Sequence, residues 1–216
     1  MFRQILAAIL HAMYQIEVKR QLVEQRFPPT AGWDVTVHLD AMERGLGPQN
    51  PPDKRAIAEE AEGWLIAQGV RIGDHPVYRR ADLVATHPAH GTFVVEVEGS
   101  SARQKDLAVY SALGQSIVMM TRFADDVTFG VAVHDIPEFE RQLQKLPPEV
   151  CRRLHLQLYL VSMGHVRTLH PDGTNEIVFP PPAAVAPISR YPLRGAPVTF
   201  HAPTEPVADA DWEAVG

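Results

Sequence analysis

The sequence predicts an α/β fold in which helices flank a mixed central sheet. Predicted strands and helices alternate along the middle of the chain, as is typical of α/β proteins. Residues 92–97 are rich in β-branched and aromatic side chains, which favours a strand. The segment Val127–His134 is almost wholly apolar, which predicts a strand in the interior of the sheet. A chain of 216 residues is long enough for one domain with extensions.

The first 52 residues are predicted to form an N-terminal helical extension and a loop. Apolar residues recur at three- and four-residue steps through residues 1–26, which indicates a helix that ends at Pro28 and Pro29. This helix either packs on its own core or mediates a homodimer. Residues 33–38 alternate in polarity and predict a short strand. Residues 45–53 are rich in glycine and proline, which marks a boundary before the core.

The core is predicted to span residues 53–180 and to begin with a helix. Asp53 is a suitable N-cap for a helix that continues to about Gln68, and Gly69 follows at the position where helices commonly end. Residues 70–77 predict the first core strand and a hairpin. The apolar residues 83–85 and the run 92–97 predict two strands joined by a turn that contains Pro88 and Gly91.

The second half of the core continues the alternation. Residues 102–120 predict a helix, and the strand 127–134 follows it. Asp135 is expected to cap a helix that reaches about Leu146. Residues 154–162 and 165–170 predict a strand and its hairpin partner. Residues 180–216 hold 8 of the 19 prolines without periodicity, so residues 181–216 are predicted to be an extended or disordered acidic tail that offers a protein partner a docking segment.

Composition excludes several classes of protein. The single cysteine, Cys151, rules out a disulfide framework and fits a reducing compartment. No apolar run reaches about 18 residues, so we expect no membrane contact. Gln4 and His11 interrupt the apolar start, which argues against a secretory signal, and we expect a cytoplasmic protein. The net charge of −6 gives no support for nucleic-acid binding.

Three acidic residues stand out in the two central strands. Glu96 and Glu98 share one face of the predicted strand because side chains alternate, and Asp82 opens the strand before it. If Asp82 lies at the near end of the adjacent strand, three carboxylates converge. Such a cluster is usually relieved by a hard divalent cation held by oxygen ligands. The alternative is that Glu96 and Glu98 form the solvated face of an edge strand.

This stretch resembles the PD-(D/E)XK nuclease superfamily, which has the restriction-endonuclease-like fold. That family carries an Asp on one strand, Glu-x-Lys on the next, and then a helix with Gln or Lys and often Tyr. Asp82 matches the first acid and Glu96 the second, whereas Glu98 stands where the family has its Lys. The resemblance covers roughly residues 55–170 and implies an Mg²⁺-dependent nuclease that hydrolyses phosphodiester bonds in DNA.

The resemblance also implies roles for individual residues. Asp82 and Glu96 would hold the metal, with Glu60 or Glu59 of the preceding helix as a further ligand, and Glu98 would position the attacking water. Lys105 would supply positive charge at the scissile phosphate. The other candidates for substrate contact are basic or polar and lie just before Asp82 or on the helix 102–120: Arg80, Arg103, Gln104 and Tyr110.

Two other hypotheses remain open at the level of the sequence. The chain is a catalytically silent member of this fold that serves as a DNA-binding or protein-interaction subunit, because Glu98 replaces the lysine. Otherwise it is an unrelated α/β protein with exposed acids. His87 and His90 lie in the predicted turn, but no Cys pairs accompany them, so a zinc site is not predicted.

Overall fold

The computed structural model describes residues 12–100, 104–120 and 126–169. Within these ranges the elements are, in chain order, α1 (Gln15–Arg26), β1 (Asp34–Val37), α2 (Lys54–Ala67), β2 (Arg71–Ile72), β3 (Leu83–His87), β4 (Gly91–Glu98), α3 (Lys105–Met119), β5 (Val127–His134), α4 (Pro137–Leu143), α5 (Pro148–Arg153), β6 (Leu156–Ser162) and β7 (His165–Leu169). The α/β class predicted from the sequence is confirmed. None of the described helices is long and apolar enough to span a membrane.

The strands form one mixed seven-stranded sheet in the order β2-β1-β3-β4-β5-β6-β7. β1, β3 and β4 are antiparallel neighbours, and β4, β5 and β6 run parallel to one another. β7 returns as the hairpin partner of β6, as predicted. The parallel strands are connected through α3 and through the pair α4 and α5, because a parallel connection needs a crossover.

Helices cover both faces of the sheet, so the protein has three layers. α1 and α2 pack on one face, against side chains such as Val35, Phe93 and Val95. α3, α4 and α5 pack on the other face, against Val94 and Val131 among others. Burial of both faces explains why β5 is apolar along almost its whole length.

Two local predictions were wrong. The predicted hairpin with its turn at Gly73 and Asp74 does not form, because Arg71 and Ile72 pair in parallel with β1 and His75 forms an isolated antiparallel bridge with Arg79. Asp135 does not cap the next helix, because Ile136 occupies the N-cap position. The carboxylate of Asp135 instead accepts two hydrogen bonds from Arg167 of β7, at 3.0 and 2.9 Å.

The segment predicted as an N-terminal extension contributes to the core of the domain. α1 buries Ile16, Leu22 and Val23 against the sheet, and β1 lies between β2 and β3. The residues described here belong to one compact unit, which includes this helix and strand. The predicted tail, residues 181–216, lies outside the described residues.

Candidate functional site

Strand pairing places Asp82 beside Glu96. β3 and β4 are antiparallel, with Leu83 opposite Val95. Asp82 immediately precedes β3, so the same register brings it opposite Glu96. On its other side, the backbone of Asp82 continues the pairing with β1 and accepts a hydrogen bond from the amide of His38 at 3.1 Å. The register thus sets Asp82 and Glu96 opposite each other, and the convergence of all three carboxylates on one spot stays a prediction.

The Asp82 carboxylate is held by three donors. Its Oδ2 accepts the backbone N–H of Val97 at 2.8 Å and the side-chain amide of Gln15 at 3.2 Å. Its Oδ1 lies 2.7 Å from the ammonium of Lys19. Charge-assisted hydrogen bonds of this kind are short and fix the orientation of the carboxylate. Both Gln15 and Lys19 come from α1, so this helix determines how Asp82 is oriented.

Lys19 is the central cation of the site, and its side chain is completely buried. Its Nζ lies 2.7 Å from Asp82 Oδ1, 2.5 Å from Glu43 Oε1 and 2.7 Å from the carbonyl oxygen of His38. These three acceptors match the three hydrogens of an ammonium group. Burial lowers the pKa of Lys19, but the carboxylates of Asp82 and Glu43 outweigh burial and raise it above its ordinary value. Lys19 is therefore charged at neutral pH.

Glu43 reaches the site from the loop after β1. Its backbone N–H donates to Asp40 Oδ1 at 2.8 Å, and its Oε2 accepts the backbone N–H of Asp40 at 3.1 Å. This reciprocal pair has the form of a capping box, here at a turn. The box fixes Glu43 with its second oxygen on Lys19. Burial raises the pKa of Glu43, and the ammonium of Lys19 opposes that rise.

The end of β4 contacts the start of α1 through Gly99. A Cβ on Gly99 would lie 2.5 Å from the backbone nitrogen of Gln15 and 2.7 Å from the carbonyl oxygen of Met13, so any larger residue collides with the backbone. The next residue secures the contact, because the amide of Ser100 donates to the carbonyl of Met13 at 2.8 Å. This close approach holds α1, with Gln15 and Lys19, against the strand that carries the acids.

Glu96 is buried, with 4% of its surface exposed, and its Oε1 has no hydrogen-bond partner. Burial raises the pKa of Glu96 well above its ordinary value, and the negative charge of Asp82 raises it further. The backbone amide of Asp82 and the charge of Lys19 act in the opposite direction without cancelling the rise. A buried carboxyl oxygen without a partner is uncommon and points to a missing donor or cation.

Glu98 lies at the edge of the cluster and is half-buried. Burial, followed by the negative charges of Asp82 and Glu43, raises the pKa of Glu98 to about 7, and Lys19 opposes the rise. Asp82 and Lys19 therefore act electrostatically on both Glu96 and Glu98. Asp82, Glu96, Glu98, Glu43 and Lys19 are called the acid cluster below.

Some residues predicted for the site lie at its periphery or outside it. Glu60 is exposed on α2 and forms an ion pair with Arg20 at 3.1 Å, so it is not part of the acid cluster. Glu59 pairs with Arg55 on the same helix. Arg80 is exposed, and its Nε donates to His38 Nε2 at 3.4 Å. The carbonyl oxygen of the same histidine accepts a hydrogen bond from Lys19, so His38 connects Arg80 to the acid cluster.

The predicted residues around α3 face other parts of the molecule. The ammonium of Lys105 donates to the carbonyl of Ser100 and lies 5.6 Å from the centre of the Phe139 ring, in a groove between α3 and α4. Gln104 is exposed at the N-cap of α3. Tyr110 is 54% exposed on the outer face of α3. Arg103 lies outside the described residues.

The sequence analysis missed Lys19, Gln15 and Glu43. The signal for Lys19 was present, since it lies three residues after Ile16 and three before Leu22, within the buried stripe of α1. A lysine in such a stripe requires a buried counter-charge. Glu43 could be recognised only locally, as the last residue of an Asp-x-x-Glu capping box. Its contact with Lys19 is tertiary and has no counterpart in the local sequence.

Comparison of the chain with protein-family models, with curated proteins and with solved structures gave no match. In the part of the chain that the structure describes, no group of three Asp, Glu, His or Cys side chains has the arrangement of a ready-made metal site. The geometry and chemistry of the acid cluster are therefore the basis for assigning a function.

Proposed function

We propose that the protein is a metal-dependent nuclease with a restriction-endonuclease-like fold that hydrolyses phosphodiester bonds in DNA. The observation that carries this proposal is the convergence of Asp82 and Glu96 across two paired strands, with a buried Glu96 oxygen that lacks a partner. The order of elements supports it, because the strands with Asp82 and Glu96 are followed by a helix and a strand parallel to β4.

The donor atoms of the cluster fit a hard divalent cation. Such ions prefer oxygen ligands, above all carboxylates. Asp82 and Glu96 would hold Mg²⁺ or Mn²⁺, and Glu98 is close enough to share their electrostatic environment. When bound, the ion polarises a phosphoryl oxygen, lowers the pKa of a water molecule and neutralises charge on the leaving oxygen.

The residues of the chain have separate tasks in this mechanism. Lys19 and Gln15 orient Asp82 from one side, and the Val97 amide does so from the other. Glu98, at the accessible edge of the cluster, accepts the proton of the attacking water. Arg80 is exposed and contacts His38, whose carbonyl oxygen binds Lys19, so it is suited to a phosphate contact at the β1 side of the cluster.

A cleavage assay tests the proposal. Single-stranded, duplex and branched DNA are incubated with the parent protein and with Asp82→Asn, each in Mg²⁺, in Mn²⁺ and in chelator. The proposal expects divalent-dependent cleavage by the parent on at least one substrate and none by Asp82→Asn. Glu60→Gln serves as a control, because it removes an exposed acid outside the cluster. A parent that cleaves no substrate with either ion contradicts the proposal.

The second candidate function is a catalytically silent interaction subunit of the same fold. Two observations favour it: Lys19 already neutralises much of the acid cluster, and α3 exposes a row of apolar side chains. That row consists of Leu107, Tyr110, Ile117 and Val118, each more than half exposed. Exposed apolar groups of this size are typical of protein contacts. The two functions differ in divalent-ion binding at Asp82 and Glu96, which only the nuclease requires.

A further inference from the structure

Lys19 occupies one side of the acid cluster in the way that a bound metal ion would. Its Nζ is surrounded by three oxygen atoms, from Asp82, Glu43 and the His38 carbonyl, at 2.5 to 2.7 Å. Two carboxylates and a carbonyl are also a suitable oxygen set for a divalent cation. The ammonium therefore fills the space between Asp82 and Glu43.

Among the residues that the structure describes, no ammonium or guanidinium pairs with the carboxyl groups on the other side of the cluster. Glu96 is 4% exposed, yet its Oε1 lacks a hydrogen-bond partner. Glu98 lies next to it at the end of β4. The carboxylate of Asp82 stands between the two sides, with Oδ1 on Lys19 and Oδ2 on Val97 and Gln15. The ammonium of Lys19 thus lies on one side of the cluster, and a buried carboxyl oxygen without a hydrogen-bond partner lies on the other.

We propose that Lys19 is a resident cation that fills the Asp82–Glu43 side of the acid cluster and limits the site to a single divalent ion, held by Asp82 and Glu96 on the other side. The inference rests on the proposed function and deepens it, because it assigns the number and the location of the ions. Lys19 is a positioning residue here. Its side chain is completely buried, so it acts on the reaction through Asp82.

Removing the ammonium should open a second ion site. In Lys19→Met the carboxylates of Asp82 and Glu43 face each other without a counter-charge, close to the carbonyl of His38. Two uncompensated buried carboxylates repel, and a divalent ion relieves that repulsion. In Lys19→Met/Glu43→Gln one of the two carboxylates is gone, so the second site should not form.

The test measures how many Mn²⁺ ions the full-length protein binds after chelator treatment. Electron paramagnetic resonance gives the concentration of free Mn²⁺, and the difference from the total gives the bound ion. The expected stoichiometry is one ion for the parent, one for Glu43→Gln, two for Lys19→Met and one for the double variant. Lys145→Met is the control for loss of an exposed lysine and should bind one ion. A parent that binds two ions overturns the resident-cation proposal and leaves the proposed function standing. A parent that binds none overturns the proposed function itself.

A second measurement avoids any variant that fails to fold. The side-chain ¹⁵N resonance of a buried, hydrogen-bonded lysine can be followed in the parent protein during titration with diamagnetic Mg²⁺. The proposal expects the Lys19 ammonium signal to persist, with a shift, at saturating Mg²⁺. Loss of the signal, or its change to that of a solvent-exposed lysine, shows that the ion displaces Lys19 and overturns the proposal.

Discussion

The ammonium of Lys19 lies 2.7 Å from Oδ1 of Asp82 and joins the first described helix to the start of a central strand. This ion pair is buried, so its stability depends on the completeness of the hydrogen bonding around it. Lys19 has three acceptors and Asp82 has three donors, which satisfies this requirement. The contact places a buried positive charge beside Asp82, which lies opposite Glu96 in the register of the two central strands.

Glu43→Gln should destabilise the fold far more than Glu60→Gln. Glu43 is buried against Lys19, and loss of one partner from a buried ion pair typically costs about 3–5 kcal/mol. Glu60 pairs with Arg20 at the surface, where such pairs contribute about 0–1 kcal/mol. Urea denaturation of both variants measures the difference. Equal free energies of unfolding would show that the Glu43 carboxylate has no structural role.

Gly99→Ala should lower the melting temperature and disturb the site, whereas Gly63→Ala should not. A Cβ at Gly99 meets the backbone of Met13 and Gln15 at less than 3 Å and would push α1 away from β4. Gly63 lies within α2, where a Cβ has open space, so alanine should stabilise the helix by up to about 1 kcal/mol. Thermal unfolding of the pair checks this, and an unchanged Gly99→Ala protein would contradict the described contact.

The free energy of unfolding should fall as the pH rises from about 5 to 7. In the unfolded chain Glu96 and Glu98 ionise near their ordinary pKa of 4.5, whereas in the folded protein the pKa of Glu98 is about 7 and that of Glu96 is also raised. The folded state therefore binds more protons in this range. Each extra proton reduces the stability by up to about 1.4 kcal/mol per pH unit.

This pH dependence is measured as the melting temperature in chelator-containing buffers. The decrease between pH 5 and 7 should be smaller in Glu96→Gln/Glu98→Gln, because the amides remain neutral at every pH. A double variant with the same pH profile as the parent would show that the two carboxyls ionise alike in the folded and unfolded states.

Glu98→Gln should lower the single-turnover rate of cleavage by about 10²-fold or more, which is the usual contribution of a general base, and should leave DNA affinity nearly unchanged. Lys105→Met should change the rate by less than about tenfold, since Lys105 contacts Ser100 and the Phe139 ring in the groove with α4. Rapid-quench kinetics and DNA titrations separate the two effects. A larger loss for Lys105→Met would reverse the assigned roles.

The sequence alone predicted the part of the site that depends on local pattern. β-branched runs and a turn at residues 86–91 indicated two adjacent strands, and antiparallel register then brings Asp82 opposite Glu96. The other residues of the site, Gln15, Lys19 and Glu43, reach it through tertiary contacts. The periodicity of α1 indicated a helix but not which element it covers, so the partner of Lys19 could not be derived. The loop that carries Glu43 showed no strand or helix pattern that would position it.

The prediction of a domain boundary near residue 53 illustrates the same limit. A loop rich in glycine and proline is a sound local signal for a break between elements. It does not reveal whether the chain returns to the same sheet afterwards, and here β1 pairs with both β2 and β3. Residues 15–26 form the predicted helix. The helical pattern did not indicate that Gln15 and Lys19 of this helix contact Asp82.

The proposal that Asp82 and Glu96 hold a divalent ion is tested by locating that ion in a crystal. Crystals soaked in Mn²⁺ and measured at the manganese absorption edge give an anomalous peak at each bound ion. One peak is expected at about 2.0–2.6 Å from carboxylate oxygens of Asp82 and Glu96, with Lys19 still paired to Glu43. A peak only at surface acids such as Glu60, or none at saturating Mn²⁺, would contradict the claim that the acid cluster is a metal-dependent catalytic site.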